Sequence, residues 1–153
     1  MQLLTFSIQE QEYAVNVENV VQVVRMVGVT HAPKAPAYVE GLMNLHGQVI
    51  PVVNLTRLFN LPERALDLDT QLLVASAKAH TAAFIVDRVS EVLMLSQEQL
   101  ERPTDVMQAL AYLYGVGKVD DRLVLILDLD ALFQDISPAE LDAVLHRPQE
   151  AFA

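Results

Sequence analysis

The feature that most constrains this chain is that it repeats itself. With residue 3 set on residue 72, Leu3-Leu4 meets Leu72-Leu73, Ala14-Val15 meets Ala83-Phe84, and Val17-Glu18 meets Val86-Asp87. Val20 then falls on Val89, and Val23-Val24 on Val92-Leu93. Five residues are added in the second half. Beyond them Tyr38 meets Tyr112, Gly41 meets Gly115, Val49-Ile50 meets Leu123-Val124, and Leu58-Phe59 meets Leu132-Phe133. Apolar coincidences are cheap in a chain that is 52% hydrophobic, but the paired tyrosines, glycines and closing Leu-Phe are not. Two copies are too few for a solenoid, which buries its faces by stacking three or more units. A duplicated small domain fits instead, with halves at about residues 1–66 and 70–135 of one domain spanning 1–136.

Each copy reads as β-structure. Leu4, Phe6 and Ile8 alternate with Thr5 and Ser7, the period of a half-buried strand. Tyr13 to Val17 resumes the alternation after a polar turn. The valines between Val17 and Val24 also fit a helical stripe, but branching at Cβ favours a pleated surface, so strand, one turn and strand are expected. The apolar runs 49–53 and 123–127 predict strands buried on both faces. Short helices are expected at 35–42 and 105–113, ended by Gly41 or Gly47 and by Gly115, and single turns at 55–59 and 129–133 capped by Asn54 and Asp128. A last helix follows in 137–153. Ser137 caps it, Pro138 takes its first position, Glu140 completes a capping box and Pro148 stops it. Its apolar face packs on its own barrel or serves a partner.

Composition narrows function. A formal charge of −10 and a pI near 4.6 remove the electrostatic basis for nucleic-acid binding. The absence of cysteine excludes disulfides, thiolate metal sites and cysteine nucleophiles. The N-terminus lacks a basic region, and the run from Leu123 to Leu127 is far too short to span a bilayer, so a cytoplasmic protein without direct membrane insertion is expected. His31, His46, His80 and His146 are scattered rather than paired at metal-ligating intervals. The five glycines form no phosphate loop, and no serine sits in a nucleophile elbow. No catalytic residue, metal or cofactor is expected.

The stretch YVEGLMNLHGQVIPVVNLTRLF, residues 38–59, resembles the signature of the CheW-like family: a glycine leading into Asn-Leu-Arg-Gly, a Pro-containing strand, then Asp-Leu-Arg. FIVDRVSEVLML and YLYGVGKVDDRLVLILDLDALF resemble the second half of the same family, so the likeness runs from residue 2 to about 135. The resemblance implies an all-β fold of two five-stranded Src-homology-3-like barrels on a joint core. It also implies a non-catalytic adaptor that bridges the cytoplasmic tip of chemoreceptors to the regulatory domain of a CheA-type histidine kinase. Its first strand is expected to cross into the other half's sheet.

By resemblance, Val20, Gln22, Asn44 and His46 fall at receptor- or kinase-binding positions, with a groove between barrels as the expected site. Gly41, Gly47 and Gly115 are expected to form structural turns. Val20 reads equally as a core valine, and Asn44 as a group that bonds the following turn. The chain departs from the family at Gln22 (usually Glu), His46 (Arg), Asn54 (Asp) and Thr56 (Arg). Gln22 and His46 therefore read as a neutral replacement of a charged pair, and imidazole cannot bind carboxylate as a guanidinium fork does. A divergent receptor or kinase, in a pathway driving pili or another output, is expected. A small-ligand-binding barrel is the alternative from another class; a CheV-like adaptor or kinase fragment would need domains for which the length leaves no room.

Overall fold

A computed structural model describes residues 1–26, 28–63, 65–66, 69–102 and 112–136. Two sheets carry the fold. One holds β1 (Gln2–Ile8) and β2 (Gln11–Asn16) with β8 (Arg88–Met94), β9 (Leu100–Glu101), β10 (Leu113–Val119) and β11 (Arg122–Leu127). The other holds β3 (Val20–Arg25), β4 (Val39–Leu45) and β5 (Gln48–Asn54) with β6 (Gln71–Ala77) and β7 (His80–Val86). The strand orders are β8-β1-β2-β11-β10-β9 and β3-β6-β7-β5-β4. The leading hairpin of each half thus lies in the other half's sheet, which bears out the expected crossing and the two-barrel fold.

The duplication is exact in register. Leu3 faces Asn16 across β1–β2 as Leu72 faces Ile85 across β6–β7. The β1–β8 ladder pairs Leu3 with Leu93 and shifts between Leu4 and Phe6; the β6–β3 ladder pairs Leu72 with Val24 and shifts at the matching place. Val52 pairs in parallel with Ala83, and Ile126 with Ala14. Every one of these correspondences obeys the two sequence offsets.

Side chains sort into three cores because the exchanged hairpins are covered on both faces. Leu3, Ala14, Val124 and Ile126 fill one barrel, and Ile50, Val52, Leu72, Val74 and Ile85 fill the other. Between the barrels lies a joint core of Phe6, Ile8, Tyr13, Val53, Leu73, Phe84, Leu127 and Leu132. Thr5, expected to face solvent, is fully buried; its hydroxyl donates to Glu91 O at 3.0 Å and accepts from Glu91 N at 3.1 Å. The bulge in the β1–β8 ladder beside it gives the hydroxyl that access.

Helix α1 (Leu55–Leu58) and helix α2 (Leu129–Asp135) begin where expected. Asn54 Oδ1 accepts from Arg57 N at 3.2 Å and Asp128 Oδ1 from Ala131 N at 3.1 Å, so both act as N-caps. A 3-10 turn at Val17–Asn19 supplies the expected break between β2 and β3.

Residues 35–42 do not form a helix. Val39, Leu42 and Met43 are buried in β4, where pairing with β5 outweighs a weak local helical preference. Gly41 and Gly115 likewise sit inside strands and not at turns. Each lies at a register shift where another backbone passes close: a Cβ at Gly41 would stand 2.5 Å from Thr30 O, and one at Gly115 would stand 2.9 Å from Glu101 O. Only Gly47, at φ +87°, occupies a turn as expected. Most of the helix expected at 105–113, and all of the one expected in 137–153, lie outside the described residues; Leu113 already belongs to β10.

A candidate partner-docking face

The β4–β5 hairpin closes through two residues, His46 and Gly47, both with positive φ (+52° and +87°). Such a loop matches the right-handed twist of its strands. Glycine enters that region freely, and histidine is among the few other residues found there with some frequency. Asn44 steadies the loop, its Oδ1 accepting from Gly47 N at 2.8 Å. That is the turn-bonding role read from the sequence.

The loop carries His46 to β3. Its Nε2 lies 3.2 Å from Gln22 Oε1, so the two departures noted above touch each other. Val21 and Val49 flank the contact in sequence and are 54% and 48% exposed, which is unusual for valine in a strand. Val20 is different. It is half-buried and packs against the joint core, so its core reading prevails over a docking one. Gln22, Asn44 and His46 thus come together on one sheet, whereas the groove between barrels does not hold them.

Applying the offsets to this contact finds a second one that pattern matching missed. Gln22 maps to Glu91 and Gln48 to Arg122. Arg122 Nη2 sits 2.7 Å from Glu91 Oε1, and its Nε is 3.4 Å from Glu12 Oε2. Leu123, the counterpart of Val49, is 56% exposed. Asp120 takes the place of His46 and keeps its left-handed backbone, at φ +54°. The signal was present in the offsets, but unlike residues at matched positions do not draw attention.

Asn54, also a departure, has a structural duty. It is buried, caps α1, and its Nδ2 donates to Glu40 Oε2 at 3.3 Å. Glu40 in turn pairs with Arg57 at 3.2 Å, and Arg57 also bonds Glu63 and donates to Ala37 O. The hydrogen bond to Glu63 is the main cause holding this guanidinium above its ordinary pKa. Burial, aided by a hydrogen bond to Asp135, holds the Tyr112 hydroxyl well above the usual phenol range. Burial does the same to Tyr13. Each group keeps the protonation it already has near neutrality. No group of three or more potential metal ligands occurs among the described residues.

A family model described as "CheW-like domain" matches residues 2–137. The chain is 33% identical over 135 residues to the chemotaxis protein CheW of Helicobacter pylori, covering 88% of this chain and 82% of that one. It is 33% identical over 139 residues to the chemotaxis protein CheW of Thermotoga maritima, covering 91% of each. The crystal structure of scaffolding protein TtCheW from Thermoanaerobacter tengcongensis superimposes with a TM-score of 0.78 at 31% identity, covering 82% of this chain and 87% of that one.

Proposed function

The chain belongs to the CheW-like family, and from that premise we propose that it is a non-catalytic adaptor coupling chemoreceptors to a CheA-type histidine kinase in a chemosensory array. The observation that carries the proposal is the family match across both barrels, in a structure whose register repeats throughout. The partners are the regulatory domain of the kinase and the cytoplasmic tip of the receptors. A cytoplasmic location accords with this, and among the described residues no helix is long and apolar enough to cross a membrane.

Docking is assigned to the face around Gln22, His46 and the exposed Val21 and Val49. It is an outer barrel face, broad enough to receive another folded domain, and apolar side chains beside a polar pair give both area and orientation. The neutral pair at 22 and 46 supports a divergent partner set, serving pili or another non-flagellar output. A small-ligand role has less behind it, since aliphatic side chains fill both barrel interiors.

The test is capture from the native cytoplasm with folded full-length bait. A CheA-type kinase or a chemoreceptor is expected in the bound fraction. Recovery of neither, at adequate protein levels, contradicts the adaptor role. If His46→Arg leaves the affinity for the captured kinase unchanged, the pair does not select the partner.

A further inference from the structure

The contact between Gln22 and His46 and its counterpart between Glu91 and Arg122 share one property: each is charge-balanced. The second is balanced by opposite charges, at 2.7 Å. The first is balanced because both side chains are neutral when the imidazole is unprotonated. Only the first can lose that balance under ordinary conditions, since imidazole changes charge between about pH 5 and pH 8 and guanidinium does not.

The surroundings of His46 leave its charge uncompensated. β3 presents Gln22 to it, 3.2 Å away, and the only charged residue of β3 is Arg25. Within its own hairpin, Asn44 and Gln48 are uncharged, and the one charged residue is Glu40, which Arg57 engages. β6, the strand beside β3, has no charged residue. Among the described residues no carboxylate is paired with His46. The oxygen of Gln22 accepts equally from an imidazole or an imidazolium N–H. Titration therefore changes the charge of the contact and leaves its geometry in place.

We propose that His46 is a titrating specificity determinant of the docking face: unprotonated, it leaves a neutral contact between exposed valines that a kinase regulatory domain can cover; protonated, it sets an unpaired cation there and loosens the complex. This deepens the adaptor reading and rests on it. Covering a neutral hydrogen-bonded pair costs little, while covering an unpaired charge costs much more. Because the complex prefers the unprotonated form, binding lowers the pKa of the imidazole. Affinity is then full above the free-state pKa and declines as the pH falls through this window.

The experiment measures binding of the full-length chain to the regulatory domain of the CheA-type kinase from the same cells, at constant ionic strength, from about pH 8 down to about pH 5.5. For the unaltered chain, affinity is expected to fall about fivefold or more, the result of a binding-linked pKa shift of roughly 0.7 units. His46→Asn retains a residue suited to the left-handed turn and should bind with a flat profile. His46→Arg should bind weakly at every pH. Gln22→Glu should invert the profile, because a carboxylate pairs with the imidazolium. Arg122→Gln should leave the decline intact. A flat profile for the unaltered chain, or a decline that persists in His46→Asn, overturns the inference. No binding by any folded variant at any pH overturns the docking assignment beneath it instead.

Discussion

Gly41→Ala is expected to destabilise the protein by about 3 kcal/mol, the sum of a clash and the hydrogen bonds it breaks. The added Cβ would sit 2.5 Å from Thr30 O, 3.1 Å from Thr30 C and 3.2 Å from Val29 Cγ2. The first two are backbone atoms, so no side chain can rotate away. Nor can the segment retreat cheaply. Thr30 N donates to Leu42 O and Leu42 N to Thr30 O, both at 2.8 Å, so moving the carbonyl breaks the bridge that ties the 28–32 segment to β4. Overpacking of this kind costs about 1–3 kcal/mol. Each lost hydrogen bond adds about 1 kcal/mol. The smaller entropy of alanine in the unfolded chain returns less than about 1 kcal/mol. In a domain of this size the melting temperature should drop by about 10 °C.

The measurement is urea unfolding of three variants side by side. Gly115→Ala should lose about 2 kcal/mol, because one of its two 2.9 Å neighbours is a Leu100 methyl that can yield, while Glu101 O cannot. Gly28→Ala, with nothing within 4 Å, should change stability by less than about 1 kcal/mol. Equal midpoints for Gly41→Ala and Gly28→Ala would show that Thr30 and β4 are not held together as described.

The contrast between Gly41 and Gly47 shows what the sequence could disclose. Both glycines stand out in the repeat, and a turn is the ordinary reason for a glycine in a β-rich chain. That reason holds at Gly47. At Gly41 the cause is a neighbouring backbone eleven residues earlier in the chain, and no local pattern reports it. The same applies to β4. Residues 35–42 carry alanine and glycine in a context that tolerates a short helix, and only the pairing with β5 decides otherwise. Strands whose two faces enter different cores were legible as apolar runs. Thr5 was not, because its burial depends on a carbonyl and an N–H of Glu91 supplied by the other half of the chain. At the candidate face, the meeting of Gln22 and His46 could be foreseen from the resemblance. Its counterpart at Glu91 and Arg122 required following the offset through residues of different chemistry.

The exchange of hairpins between halves has a larger consequence. Cut at the repeat boundary, the chain gives two fragments, residues 1–63 and 70–136, and neither is expected to fold alone. In the sheet ordered β3-β6-β7-β5-β4, loss of β6 and β7 leaves β3 without a neighbour and β5 without its parallel partner. In the other sheet β8 loses β1, and β11 loses β2. The joint core is divided too, with Phe6 and Tyr13 on one fragment and Leu73, Phe84 and Leu132 on the other. Half-buried apolar strands without partners do not offset the entropy of ordering. Mixed in equal amounts, the fragments should recover the native circular dichroism spectrum and a cooperative melt, with a midpoint that rises with concentration because folding has become bimolecular. The intact linker provides an effective concentration near the millimolar range, so the recovered complex should be weaker than the parent chain at micromolar levels. One result would sink this picture. If the fragment 1–63 melts cooperatively as a monomer, its own β1–β2 hairpin can take the place of β6–β7. The identical register of the two hairpins makes that substitution geometrically available, so the outcome tests whether the exchange is enforced by side-chain fit. Phe84 and Ala82 occupy the positions of Val15 and Tyr13 in the joint core, and the two hairpins therefore fill it with different shapes. That mismatch is what should keep each hairpin in the opposite barrel.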